Sequence, residues 1–320
     1  MKRICIVGCG TIGSLYGAHL ARVSEVWAFV RRDSHSRALN DQGLRVTGTH
    51  NFHVNLQATT NASELPNCDF AIVATKATQV EESMKAIGRR LDRATILSAQ
   101  NGLGSEEIIA KYSRGHVMRG ATFMSGTRHT DTHVQYELDT ATWLGPYEPT
   151  QTPYSVVKEL ADLLIAGGLK AEPLEDCRPA QWSKLIFNAA VNAASALTEL
   201  PHSPHFAAET DLSDLGHFVH ALVDEAKNVA AACGIELHDD PWAMNKIGAM
   251  TNHPPSMLSD IRNHLPTEVD FLSGAIAREA SRAGVPAPLH SAVYRLIKAK
   301  EASWTYRDEN KPALSGVGGH

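Results

Sequence analysis

The chain has 320 residues, of which 43% are hydrophobic and 20% charged, with a formal net charge of -5. That length accommodates two domains with substantial cores. The mildly acidic balance, with Lys and Arg scattered rather than blocked, excludes a nucleic-acid surface from the expectations and favours small-molecule chemistry; no run of about 18 apolar residues is present to span a bilayer.

In chain order, an apolar run over 4–7 opens into G-C-G-T-I-G, with Gly8, Gly10 and Gly13 at the first, third and sixth positions of G-x-G-x-x-G. Gly8 permits the strand-to-helix bend, Gly10 lets a pyrophosphate approach the backbone, and Gly13 allows helix to pack on strand. A helix over 11–22 then points the unpaired N–H groups of its first turn, at Thr11, Ile12 and Gly13, toward phosphates. Cys9 sits inside the turn as a small filler. Glycine-rich turns also occur where nothing binds, but strand, turn and helix arrive here in the order a dinucleotide site requires, and a second strand over 25–30 follows.

The end of that second strand bears on the choice of dinucleotide. An NAD site usually places a carboxylate about 20 residues beyond the glycines to accept from the ribose 2′-OH. Here the residues are Arg31 and Arg32. Guanidinium groups offer charge-assisted hydrogen bonds to a 2′-phosphate, so NADP(H) is expected. Asp33, one residue later, still reaches a ribose hydroxyl in some arrangements, and the alternative is that both arginines only solvate a strand end.

A helix over 34–42 ends at Gly43, and short strands are expected over 45–47 and 52–56. A buried strand over 69–75, a helix over 79–91, a strand over 94–99 and a helix over 105–112 continue the alternation. Strand pieces over 117–122, 134–138 and 142–145 follow, with a polar connection over 125–132 between them. This alternation of strands and helices is that of a parallel sheet covered on both faces. After a helix over 154–165 and a strand over 169–173, the segment 174–179 reads as a linker. Helices are then expected over 180–197, 213–233, 242–250, 256–262, 267–283 and 290–303. The expected division is a dinucleotide-binding domain over 1–176, a helical domain over 177–305 and a disordered tail over 306–320.

The first strand begins almost at Met1, with no charged leader and cleavage site ahead of it, so a cytoplasmic protein is expected. Five dispersed cysteines, an odd number, argue for reduced thiols over a disulfide framework. His50 and His53, His129 and His133, and His202 and His205 lie close in sequence without a Cys, Asp or Glu at ligand spacing, so no metal is expected.

Several polar residues stand where chemistry is plausible. Lys184, Asn188 and Asn192 recur every four residues along one helix face amid apolar neighbours. Burying an unpaired amide costs about 1 to 3 kcal/mol, so the stripe faces either solvent or a polar cleft. Glu268 lies in the first turn of the helix expected after Pro266, where the helix dipole alone would explain it; facing Lys184, it would tune that lysine's proton affinity. Ser256 is a good N-cap whose hydroxyl is also able to meet a ligand. Lys76 and Asn101 each follow a strand of the parallel sheet, on the side where ligands of such sheets collect.

Together G-C-G-T-I-G, T-K-A-T-Q, Q-N-G-L-G, W-S-K-L-I-F-N-A-A-V-N, P-S-M-L-S-D-I and T-E-V-D-F-L-S-G follow the order of the ketopantoate reductase (2-dehydropantoate 2-reductase) family, which the chain resembles from residue 3 to about 303. The resemblance implies an α/β Rossmann-like N-terminal domain and an all-α C-terminal domain of the 6-phosphogluconate dehydrogenase C-terminal type, with the active site between them and closure on its ligands. It implies NADPH-dependent reduction of a 2-oxo acid, with ketopantoate as substrate and (R)-pantoate as product. Lys184 matches the catalytic lysine and Glu268 the acidic residue that orients the site and meets the cofactor. Asn188, Asn192 and Ser256 match substrate-holding residues; Lys76 and Asn101 match positions at the cofactor and substrate, Asn101 near the nicotinamide ribose.

The chain departs from the family's pattern in three places. Leu265 stands where an arginine precedes P-T-E, Pro255 replaces the first serine of S-S-M, and R-H-T-D-T-H-V-Q-Y-E (128–137) is more polar than the usual glycine-rich hairpin. A 2-hydroxyacid dehydrogenase of the same skeleton acting on another 2-oxo acid is thus the first alternative, and a noncatalytic NADP(H)-binding sensor the second. The long apolar helices leave room for a homodimer.

Overall fold

Alternating side chains on the first strands separate two apolar layers. On β1 (Arg3–Val7), Ile4 and Ile6 join one core while Cys5 and Val7 join another. The split repeats on β6 (Phe70–Val73), with Phe70 and Ile72 against Ala71 and Val73, and on β7 (Thr95–Ser98), with Leu97 against Ile96. A strand that buries both faces needs helices on both sides of its sheet.

The computed structural model describes residues 1–201, 213–241 and 254–309. It divides into two units: one of 1–186 with Gly234–Pro241, the other formed from the described residues of 187–233 and 254–309. The two units meet within α6 (Arg178–Thr198), which runs unbroken for 21 residues from the end of the segment expected as a linker.

In the first unit, β1, β2 (Glu25–Phe29), β5 (Gln57–Thr59), β6, β7, β8 (Val117–Thr122), β11 (Thr142–Pro146) and β12 (Ala171–Pro173) form one sheet in the order β12-β11-β8-β7-β6-β1-β2-β5. Its pairings are parallel except β8 with β11. The order reverses between β1 and β6, so the crevice beyond their C-terminal ends is the topological switch point where such sheets bind ligands. A second sheet, β4-β3-β10-β9, is built from β3 (Leu44–Gly48), β4 (Phe52–Val54), β9 (Ser125–Thr130) and β10 (His133–Leu138).

α1 (Thr11–Leu20) packs against both sheets, and α5 (Tyr154–Ala166) completes that core. The other face of the main sheet is covered by α3 (Val80–Ile87) and α4 (Ser105–Tyr112). α2 (Asp33–Gln42) follows β2 and packs on β5. The polar connection expected over 125–132 is mostly β9. It is an edge strand with an exposed end, so its sequence lacks the apolar alternation that marks half-buried strands.

In the second unit, α7 (Asp214–Ala232), α9 (Ser273–Ala283) and α10 (Pro288–Glu309) pack on one another, and α8 (Ser256–Arg262) lies between α7 and α9 in the chain. Glu225 of α7 accepts from the Leu289 and His290 N–H groups at 2.9 and 2.8 Å, satisfying the first turn of α10. The helix expected from Thr267 begins only at Ser273. The Thr267 N–H and hydroxyl both donate to Glu301 of α10, at 2.8 and 2.6 Å, and Gly274 N–H reaches back to Val269 O, five residues away, so 267–272 are turns rather than regular helix. α10 continues beyond the expected end at residue 303, taking up residues 306–309 of the expected tail. The expected helix over 242–250, His202 and His205, and the tail from residue 310 lie outside the described residues.

Candidate active site

After β1 the chain turns at Gly8, whose φ of +90° suits glycine alone; a Cβ there would stand 2.5 Å from Thr75 Cγ2. A Cβ on Gly13 would stand 1.9 Å from the Gly8 carbonyl oxygen, so helix and turn approach too closely for any side chain. Gly10 differs, since a Cβ there would meet no protein atom within 4 Å. The space before it is open to a ligand. Gly10 is also the N-cap of α1, which has neither a capping side chain nor an acidic residue in its first turn, so the N–H groups of Thr11, Ile12 and Gly13 are available to an anion.

Gly8, Cys9 and Gly10 line an open cleft of about 350 Å³, whose wall also carries Arg31, Arg32, His35 and Arg128. Cys9 is 3% exposed, and burial pushes its thiol up to about 12, leaving it neutral at physiological pH. Arg32 Nη2 and Arg128 Nη1 both donate to Asp131 Oδ1, at 2.6 and 2.8 Å. Burial works to raise the Asp131 carboxyl, but the Arg32 hydrogen bond and the neighbouring positive charge hold it below the usual range. Asp33 instead accepts from Thr60 Oγ1 at 2.6 Å. Side-chain-free backbone at Gly10, an uncapped helix N-terminus and three guanidiniums on one cleft fit a phosphate-bearing dinucleotide. In the sequence, Arg128 is marked only by the polarity of 128–137.

Lys76 and Asn101 stand outside this cleft's lining. Lys76 follows β6 and opens a short 3-10 turn, Ala77–Gln79. Asn101 lies in the loop after β7, where Gly102 and Gly104 take φ of +88° and +107°. That loop is pinned by Gln181 of α6, a residue that no motif in the sequence marks: its Nε2 donates to Gly102 O at 3.2 Å and to Glu106 Oε1 at 2.6 Å, and its Oε1 accepts from Arg119 at 3.2 Å. Burial raises the pKa of the Glu106 carboxyl.

Lys184, three residues beyond Gln181, is 9% exposed, with its ammonium 5.6 Å from the centroid of the Phe123 ring. Asn188 and Asn192 are 9% and 6% exposed, so the reading of this stripe as a solvated face fails. In the second unit, Asn192 Oδ1 accepts from the Met257 N–H at 3.1 Å and from Ser256 Oγ at 3.3 Å, tying the start of α8 to α6. Glu268 is buried in the turns that Glu301 holds, and Leu265 nearby in sequence is exposed.

The family model "Ketopantoate reductase PanE/ApbA" matches residues 4–149, and its C-terminal counterpart matches 176–301. A 2-dehydropantoate 2-reductase of Archaeoglobus fulgidus is 30% identical over 94% of this chain and 99% of its own length, and one of Pyrococcus abyssi 29% identical over 94% and 98%. Among solved structures, a PanE/ApbA family ketopantoate reductase of Ralstonia eutropha superposes with a TM-score of 0.82 at 26% identity, covering 95% of this chain and 99% of that one. A D-mandelate dehydrogenase solved with NADH superposes equally well, with a TM-score of 0.82 at 27% identity over 95% and 99%. Ketopantoate reductases use NADPH, a phosphate-bearing dinucleotide. With both of its halves matched and full-length relatives at this identity, the chain belongs to the ketopantoate reductase family of oxidoreductases.

Proposed function

We propose that this protein reduces 2-dehydropantoate to (R)-pantoate with NADPH. What supports this reading most is Lys184: a buried ammonium on the helix whose first turns are bonded, through Gln181, to the glycine loop after β7, at the ligand-binding end of the parallel sheet.

NADPH, when bound, supplies the hydride. Gly8, Cys9 and Gly10 form the turn that lets its pyrophosphate approach, the N–H groups of Thr11, Ile12 and Gly13 in the first turn of α1 receive the phosphates, and Arg31 and Arg32 bind the 2′-phosphate that NADH lacks. Lys76, Asn101 and Glu268 complete the cofactor's contacts. Lys184 donates a hydrogen bond to the substrate's keto oxygen, and its charge stabilises or protonates the alkoxide that forms as the carbonyl carbon is reduced. An ammonium held in place acts on charge that develops only in the transition state, which is where binding energy becomes rate. Glu268 orients the site, and Asn188, Asn192, Ser256 and Asn101 hold the substrate's hydroxyl and carboxylate.

A second reading, a dehydrogenase for a bulkier 2-oxo acid, is favoured by the D-mandelate dehydrogenase likeness and by Leu265 and Pro255. Steady-state oxidation of NADPH with 2-dehydropantoate and with an aromatic 2-oxo acid, repeated with NADH, separates the two. The highest kcat/KM is expected for 2-dehydropantoate with NADPH. A higher value for the aromatic acid turns the assignment to the second reading, and no turnover with either acid contradicts both.

A further inference from the structure

The cofactor cleft contains one cation that the family's motifs do not account for. Arg128 sits on β9, the edge strand of the second sheet, within the polar stretch 128–137 that departs from the family's pattern. It reaches the wall of the same cleft that Gly8, Gly10 and Arg31 line.

Its geometry relative to Arg32 is specific. The two guanidiniums come from positions 96 residues apart in sequence, yet both donate to a single oxygen, Asp131 Oδ1. Their nitrogens are therefore close enough together to share one anionic oxygen, as paired arginines do on a phosphate. Arg31, on the same wall, has no ion-pair partner among the described residues. A second observation is independent of the arginines: His35, also on this wall and 6% exposed, has a buried Nε2 with no hydrogen-bond partner among the described residues. A buried polar atom of that kind is costly unless a ligand or water satisfies it.

We propose that Arg128 is a cofactor-specificity residue, binding the 2′-phosphate of NADP(H) jointly with Arg32 while Asp131 holds both guanidiniums in position. The inference rests on the reading of this cleft as an NADP(H) site. The plainer account is a surface ion-pair cluster that only fastens the β9–β10 hairpin to the end of β2, a kind of contact that contributes little to stability. The accounts differ in which cofactor Arg128 affects, because a phosphate contact acts on NADPH alone.

The test is titration of NADPH, NADH and adenosine 2′,5′-bisphosphate into the wild-type protein, Arg128→Ala, Arg128→Lys and the double variant Arg31→Ala/Arg32→Ala. Loss of a charge-assisted contact should weaken NADPH and the bisphosphate by about tenfold in Arg128→Ala, with NADH changed by less than about twofold and Arg128→Lys intermediate. Equal weakening of NADPH and NADH, or an unchanged NADPH affinity, overturns the proposal. If the wild type binds NADH as tightly as NADPH, the NADP(H) reading itself falls and this proposal with it. If the wild type and the double variant behave as that reading expects while Arg128→Ala does not, the proposal fails alone.

Discussion

One methyl group separates binding from folding in the glycine turn. A Cβ at Gly13 would meet backbone that cannot move aside, so Gly13→Ala should destabilise the protein by about 3 kcal/mol or more. A Cβ at Gly10 meets only open space, so Gly10→Ala should change stability by less than about 1 kcal/mol while weakening NADPH by about tenfold. Urea denaturation read beside NADPH titration checks both, and a Gly10→Ala protein that binds normally would contradict the ligand's assigned path. Such glycines are legible in a sequence because few other residues satisfy a positive φ or a close backbone approach. Arg31 and Arg32 are legible for a related reason, since they lie at a fixed distance along the chain from the turn. Arg128 is not, because its place in the cleft depends on the pairing of a second sheet that no local pattern encodes.

At the scale of elements, the parallel strands are easily read, since apolar runs bounded by glycines and polar turns mark each of them. Two elements are not. β9 pairs through its backbone at a sheet edge and carries Arg128, His129 and Thr130 exposed, so its sequence reads as a loop. The 267–272 turns read as helix because Pro266 and Thr267 resemble a helix start, but the Thr267 hydroxyl is committed to Glu301, 34 residues away. The contact between α1 and the second sheet contains a titratable group. His19 of α1 is fully buried, bonded through Nδ1 to Leu15 O and through Nε2 to His50 Nδ1, both at 2.8 Å, with Phe52 and Tyr136 rings edge-on. Burial first, and then the neighbouring His50 and Arg22, bring its pKa down from 6.5 to about 4. Between those values the unfolded chain binds a proton that the folded chain does not, so stability falls as pH drops through this window. The contribution of His19 amounts to about 2 kcal/mol between pH 7 and pH 5. Urea denaturation at the two pH values should show a smaller difference in His19→Gln than in the wild type; an equal difference would remove His19 from the account.

For the molecule as a whole, the fold class is legible because the alternation of strand and helix gives way to helix alone after about residue 174, and family matches cover both parts. α6 is a single helix that starts in one unit and ends in the other. The proposed chemistry draws on that helix through Lys184, Asn188 and Asn192. Its central claim is that Lys184 supplies the charge that makes hydride transfer fast. The most direct measurement is kcat for Lys184→Ala with NADPH and 2-dehydropantoate, taken together with the dissociation constant for NADPH. The account predicts a fall in kcat of about 100-fold or more with NADPH binding within about threefold of wild type, as expected when a transition-state contact is lost. A variant that turns over at close to the wild-type rate would contradict it.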